Sequence, residues 1–279
     1  MAQKPSAPKP VKPGIFAVLN DGKTLEPIAV INKGKLENPV NGSDSLAALK
    51  AFSRERYKKD LSYRLIFGGA AAGTAAIVSS DVNAECAKNL ATIRITSTKV
   101  SLKGMVMGLA TDLASGTRSA AMRRKPSVAE KGEIDALVKA EFTKKKLSPK
   151  TLRFQNLTAI DVNGDGRAEI VGSYWTEIDS KTRGLLFFIA ELGSSGKYQF
   201  SYSEYKAVDE ASLMNGDIKS VDDGVYHELL LDYLDVDGDG TSEIFTYRQG
   251  FEGAGFYAYR RSGGKWTRFY EFENYHCGF

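Results

Sequence analysis

Acidic residues recur at one fixed spacing in two short stretches of the chain. The stretches are Asp161-Val162-Asn163-Gly164-Asp165-Gly166-Arg167-Ala168-Glu169 and Asp235-Val236-Asp237-Gly238-Asp239-Gly240-Thr241-Ser242-Glu243. Oxygen atoms at positions one, three, five and nine, with the backbone carbonyl at position seven, can surround a hard cation that binds oxygen ligands at about 2.3–2.6 Å. A glycine at position six lets the backbone turn sharply around the ion. The spacing therefore predicts two calcium loops.

The segments on both sides of each loop favour β-strands and occur in the same order twice. Each unit consists of a strand, the acidic loop, two further strands, a Gly-Lys-aromatic turn and a last strand. The three strand segments that precede the Gly-Lys-aromatic turn are 157–160, 169–175 and 185–192 in the first unit, and 229–234, 243–247 and 255–259 in the second. Such self-similarity indicates a duplicated four-stranded unit, which we call a blade.

The shared pattern Asp-Val-Asn/Asp-Gly-Asp-Gly-x-x-Glu-Ile resembles the FG-GAP or VCBS type of repeat in calcium-binding β-propeller proteins, including integrin α-like blades. The resemblance covers about residues 152–272 and implies two Ca²⁺ sites. The ligands that it implies are side chains of Asp161, Asn163, Asp165 and Glu169 and of Asp235, Asp237, Asp239 and Glu243, with carbonyls of Arg167 and Thr241. Only two clear repeats occur, whereas a complete propeller has about 4–8 blades.

The later loop positions separate these loops from an EF-hand, which begins with the same pattern. An EF-hand needs a bidentate glutamate at position twelve and a helix on either side. Position twelve is Gly172 in the first loop and Thr246 in the second, and both loops are flanked by strand-forming residues. A calcium sensor that opens a pair of helices is therefore excluded. An acidic turn without metal is the alternative interpretation.

The two loops differ in their charge. The first has three carboxylates, neutral Asn163 at position three and the positive side chain of Arg167, whereas the second has four carboxylates. Because affinity in such loops depends on the number of charged ligands, the sequence predicts tighter calcium binding by the second loop.

The rest of the chain predicts a mainly β, α+β protein. Residues 1–14 form a disordered tail rich in proline and lysine, and 15–112 form a β-rich region with one helix. Residues 113–150 form a linker and an amphipathic helix, and 151–279 hold the two repeats.

Gly68-Gly69 suggests a phosphate loop, but the required lysine is absent, so a tight hairpin is preferred.

Charge and hydropathy limit the class of partner. The chain has 279 residues and a formal charge of +4, and its basic runs lack interleaved aromatic residues, which argues against nucleic-acid binding. No apolar stretch approaches the roughly 20 residues that a transmembrane helix needs.

The chain has two cysteines, Cys86 and Cys277, which lie too far apart for a CxxC motif and leave one disulfide or two free thiols. The tail is compatible with the segment that follows a removed export signal, and equally with a cytoplasmic protein. We favour export to an extracellular or periplasmic location, and hence a Cys86–Cys277 disulfide.

The sequence identifies no catalytic residue. His227 and His276 are the only histidines, and no Gly-x-Ser-x-Gly motif occurs. We therefore expect a non-enzymatic binding module with structural calcium, whose partner is an unknown protein or glycan. The alternatives are a secreted hydrolase with catalytic groups between the two halves, and a purely structural envelope protein.

Overall fold

The computed structural model describes residues 11–97, 100–149, 151–213 and 220–277. These residues form sixteen strands and two α-helices, which confirms the predicted mainly β fold with one helix in the N-terminal half and one connecting helix. Most of the predicted tail, residues 1–10, lies outside the described residues. Gly14 already belongs to the first strand, and the carbonyl of Pro13 accepts a hydrogen bond from the Ile31 N–H (2.7 Å).

The N-terminal half is a β-barrel with a helix beside it. Its strands are β1 (Gly14–Leu19), β2 (Thr24–Asn32), β3 (Lys35–Glu37), β4 (Ser62–Phe67), β5 (Ala70–Ser80), β6 (Ala91–Thr96) and β7 (Gly108–Thr111), and helix α1 is Leu46–Arg56. The strand order is β1-β7-β4-β5-β6-β2-β3, and β1 also pairs with β2, so six strands close the barrel. Closure leaves the short β3 as an edge strand of this sheet.

The C-terminal half contains the two predicted blades. The first blade consists of β8 (Arg123–Arg124), β9 (Arg153–Ile160), β10 (Glu169–Asp179), β11 (Thr182–Leu192) and β12 (Tyr198–Asp209), and the second of β13 (Glu228–Leu234), β14 (Glu243–Gln249), β15 (Gly253–Ser262) and β16 (Lys265–Tyr275). Helix α2 is Val128–Lys144, and two 3-10 turns are Glu210–Ser212 and Val221–Gly224. The four-stranded prediction needs one correction, because β8 from the predicted linker pairs with β9 as a fifth strand of the first blade.

The elements pack in four layers, in the order barrel, second blade, first blade and α2. Alternate residues of a strand face opposite sides of a sheet, so each blade has two faces to cover. One face of the second blade packs on the barrel, and its other face packs on the first blade. The outer face of the first blade is covered by Ile134, Val138 and Phe142 of α2.

A buried charge pair joins the barrel to the second blade. Asp232 of β13 is fully buried and accepts hydrogen bonds from the backbone N–H groups of Gly68 and Gly69, both at 2.9 Å. Its Oδ2 also lies 3.0 Å from Nη1 of Arg123. Burial raises the pKa of Asp232, although Arg123 and these N–H groups oppose the rise. The hydroxyl of Tyr233 donates to the Gly68 carbonyl (2.7 Å).

The hairpin predicted at Gly68-Gly69 is confirmed, and its turn can contain only glycine at position 69. Both glycines have positive φ angles, a conformation that side chains with a Cβ rarely adopt. A Cβ on Gly69 would lie 2.2 Å from the ring of Tyr233. The small residues therefore permit the blade to approach the barrel backbone.

The C-terminal strand is attached to the barrel by buried polar side chains. Asn274 donates to Glu26 Oε1 (2.7 Å) and accepts from Asn89 Nδ2 (2.7 Å). His276 Nε2 lies 2.7 Å from the same Glu26 oxygen. Next to this network, Cys86 and Cys277 form a disulfide across 191 residues, with their Cα atoms 5.0 Å apart.

Within the described residues, no helix is long and apolar enough to cross a membrane.

Replacing Asp232 by alanine should destabilise the protein by about 3–5 kcal/mol, because it leaves Arg123 and two backbone N–H groups buried without their acceptor. The free energy of unfolding is measured by denaturant titration. Glu177→Ala is the control, since Glu177 pairs with Arg153 (3.0 Å) and the side chains of Arg153 and Glu177 are 51% and 52% exposed. We expect a loss of less than about 1 kcal/mol there. Equal losses for the two variants would contradict this account of the junction.

Opening the Cys86–Cys277 disulfide should lower the melting temperature, because closing a loop of this length contributes about 5 kcal/mol in the chain-entropy model. A reducing agent should act on the wild-type protein and leave the melting temperature of the Cys86→Ser, Cys277→Ser variant unchanged. Two equivalents of free thiol in the unreduced, natively purified protein would show that the bond is absent.

Candidate metal centre

The first loop connects β9 to β10 and is shaped by hydrogen bonds from its own backbone to its predicted ligands. Glu169 is the first residue of β10, so the sheet holds position nine of the loop in place. The five bonds run from Gly164 N to Asp161 Oδ1 (2.6 Å), Gly166 N to Asp161 Oδ2 (3.0 Å), Asp165 N to Asn163 Oδ1 (3.1 Å), Arg167 N to Asp165 Oδ1 (2.8 Å) and Val162 N to Glu169 Oε2 (3.1 Å).

The second loop connects β13 to β14 and repeats the same hydrogen bonds position by position. They run from Gly238 N to Asp235 Oδ1 (2.7 Å), Gly240 N to Asp235 Oδ2 (3.0 Å), Asp239 N to Asp237 Oδ1 (3.2 Å), Thr241 N to Asp239 Oδ1 (2.8 Å) and Val236 N to Glu243 Oε2 (3.0 Å). Although their position-three residues differ, the loops share one backbone arrangement.

The oxygen atoms of the second loop lie close enough together to share one ion. Asp235, Asp237 and Asp239 each place a carboxylate oxygen within 4.8 Å of the others. Two oxygens that each lie about 2.3–2.6 Å from calcium are at most about 5 Å apart, so this spread fits a single ion. In the first loop, Asn163 contributes a neutral amide oxygen in place of the middle carboxylate. Both donor sets contain only oxygen, the ligand type that calcium and magnesium prefer.

The glutamates at position nine are the most buried of the predicted side-chain ligands in their loops. Glu169 is 6% exposed and Glu243 is 1% exposed. Burial raises the pKa of Glu169 to about 7 and also raises that of Glu243, while the N–H groups of Val162 and Val236 counteract the rise. A carboxylate removed from water in this way is stabilised by a nearby cation.

The neighbours of the two glutamates across the sheet carry opposite charges. In the second blade, Ile244 pairs with Tyr259, so Arg260 follows beside Glu243, and its Nε donates to Glu243 Oε1 (2.8 Å). In the first blade, Ile170 pairs with Ala190, so Glu191 takes the equivalent position. Sequence analysis missed both residues because they lie outside the loops. Aligning the third strands of the two repeats would have placed them opposite position nine.

The two loops lie side by side and are joined by Arg118 from the segment that sequence analysis treated as a linker. Nη2 of Arg118 donates to the Val162 carbonyl in the first loop and to the Gly240 carbonyl in the second (2.8 Å to Gly240). The Ser242 N–H donates to the same Val162 carbonyl (2.9 Å). The N–H of Arg118 donates to the Gly69 carbonyl (2.7 Å), which ties this arrangement to the barrel. The spatial pairing of the loops was not predicted.

No known protein family, curated protein or solved structure matches this chain. The resemblance to the FG-GAP or VCBS repeat therefore stays a prediction from the loop pattern and its flanking strands.

Replacing Arg118 by methionine should destabilise the protein by about 1–3 kcal/mol in the presence of a chelator, because carbonyls of both loops lose a charged donor. Chemical denaturation gives the free energy of unfolding. Arg64→Met serves as the control, since Arg64 makes one exposed hydrogen bond to the Ser115 carbonyl (3.3 Å). A stability for Arg118→Met equal to that of the control would mean that Arg118 does not hold the loops together.

Proposed function

We propose that this protein binds two calcium ions, one in each loop, and that it serves as an extracytoplasmic binding module that the ions stabilise. The observation that carries the proposal is the repetition of the same five backbone-to-ligand hydrogen bonds in both loops. These bonds hold the aspartate and asparagine side chains at positions one, three and five within the turn before any ion arrives. A preorganised set of oxygen ligands loses less conformational entropy on binding.

The residues that would hold the ions are the side chains at positions one, three, five and nine of each loop and the carbonyls of Arg167 and Thr241. A bound calcium would neutralise carboxylates that otherwise repel one another. Each loop joins two paired strands of one blade, so it has little freedom to rearrange. We therefore propose a structural role for calcium, in contrast to sensors in which a pair of helices opens.

Export is supported by the Cys86–Cys277 disulfide, because disulfides persist mainly in oxidising compartments. The partner class proposed from the sequence, a protein or a glycan, has no further support from the described residues.

The hydrolase alternative placed its catalytic groups between the two halves of the chain, whereas a cavity of about 370 Å³, lined by Glu204, His227 and Glu228 among others, lies within the C-terminal half. Burial raises the pKa of Glu228, but its Oε1 already accepts hydrogen bonds from Thr246 (2.5 Å) and Tyr259 (2.6 Å). These bonds connect strands of the second blade, so a structural role for Glu228 is favoured over acid–base catalysis.

Calcium should raise the melting temperature of the wild-type protein while the far-ultraviolet circular dichroism spectrum stays nearly unchanged. A ligand that binds only the folded state stabilises it by about 2.7 kcal/mol per site at one hundred times its Kd. The Asp165→Ala, Asp239→Ala double variant should lose this response.

The control is Asp44→Ala, which removes an exposed aspartate that accepts a hydrogen bond from the Asn41 N–H (2.9 Å) far from the loops in sequence. This variant should keep the full calcium response. A wild-type protein whose melting temperature does not respond to calcium would refute the proposal. A large gain of secondary structure on adding calcium would refute the structural role.

A further inference from the structure

We propose that Arg260 competes with calcium in the second loop, so that the second loop binds calcium more weakly than the first. The inference rests on the proposed calcium binding and concerns the order in which the two sites fill. It reverses the order expected from the number of carboxylates in each loop.

The guanidinium group of Arg260 forms ion pairs with two of the predicted ligands, Glu243 and Asp237. Its Nε donates to Glu243 Oε1 (2.8 Å), and its Nη2 lies 3.0 Å from Asp237 Oδ2. These carboxylates occupy positions nine and three of the loop. A cation thus lies between two of the predicted ligands of the second loop.

Among the described residues, the strand position of the first blade that is equivalent to Arg260 carries no cation. Glu191, the counterpart of Arg260, accepts hydrogen bonds from Arg261 Nε (2.6 Å) and Trp266 Nε1 (3.1 Å). Arg167 lies within the first loop, but its guanidinium donates to the Leu192 carbonyl (2.9 Å) and so contacts the following hairpin. Arg167, which belongs to the first loop, therefore contacts a backbone carbonyl. Arg260, which lies outside the second loop, contacts the carboxylates of that loop.

Charge and lone pairs both work against calcium in the second loop. Arg260 offsets one of the four carboxylates, which leaves the same net charge of about −3 as the three carboxylates of the first loop. Calcium must then either displace the guanidinium from Asp237 and Glu243 or bind beside a like charge. In both cases the repulsion or the lost ion pairs lower the affinity.

Arg260 can leave the loop without being buried elsewhere. Its side chain is 31% exposed, and its guanidinium lies 4.3 Å from the ring centroid of Phe269, which is itself partly exposed. Glu243 is almost fully buried, so a positive partner stabilises its carboxylate, and that partner is Arg260 without calcium and the ion with calcium. Arg260 therefore stabilises the metal-free loop and opposes metal binding.

The test is calorimetric titration of the full-length protein with calcium chloride in two backgrounds. Asp165→Ala leaves only the second loop intact, and Asp239→Ala leaves only the first. In the Asp165→Ala background, Arg260→Gln should tighten calcium binding about tenfold, because a unit charge close to a divalent ion is removed. In the Asp239→Ala background, the same substitution should change the affinity by less than about twofold, because the first loop is not in contact with Arg260. Before Arg260 is changed, the protein that retains the first loop should bind calcium more tightly.

Two further variants control for charge and for folding. Arg260→Lys keeps the positive charge and should keep the weak affinity of the second loop within about threefold. Arg248→Gln removes an arginine of the same sheet that pairs with Glu273 (3.4 Å), and it should leave both affinities unchanged. As a second readout, the Arg260→Gln variant should have a lower melting temperature than the wild-type protein in chelator. Adding calcium should remove this difference.

An unchanged affinity of the second loop after Arg260→Gln would overturn the inference. Tighter calcium binding by Asp165→Ala than by Asp239→Ala, with Arg260 present in both, would also overturn it. Absence of calcium binding in both backgrounds and in the wild-type protein would instead refute the proposed function itself.

Discussion

The carboxylate of Asp232 is the buried charge on which the arrangement of the layers depends. It accepts the N–H groups of the Gly68-Gly69 turn and pairs with Arg123. Arg123 also donates to the carbonyls of Met107 in the barrel segment and Leu231 in the second blade (2.9 and 2.6 Å), and its strand β8 pairs with β9 of the first blade. A buried carboxylate is stable only when its oxygens are fully satisfied, so the barrel and both blades must meet at this point.

The two acidic loops are positioned from the same junction. The Gly69 carbonyl accepts the N–H of Arg118, and the side chain of Arg118 contacts both loops. Gly116, two residues earlier, accepts the N–H of Asp235 at the start of the second loop (3.1 Å). The segment between barrel and helix α2 thus connects the barrel to both candidate metal sites, and loop placement and barrel docking are parts of one network.

The same spacing of acidic residues and glycines explains why the two loops look alike, and their surroundings explain why they should behave differently. The blades share strand order and loop hydrogen bonds, yet one blade faces the barrel and the other faces a helix. The third strand presents Glu191 to one loop and Arg260 to the other. A calcium loop is thus defined by its own ligands, whereas its affinity also depends on the charge that the neighbouring strand contributes.

The sequence alone determined the mainly β class, the strand before and after each acidic loop, and the hairpin at Gly68-Gly69. These features depend on local periodicity, on fixed ligand spacing and on the conformational freedom of glycine, all of which are visible in a few consecutive residues. Only the tertiary structure decided the barrel closure, the fifth strand β8, and the contacts of Asp232, Arg118 and Arg260. Each of these joins residues far apart in the chain, and charge counted along a sequence cannot show which carboxylate a distant arginine contacts.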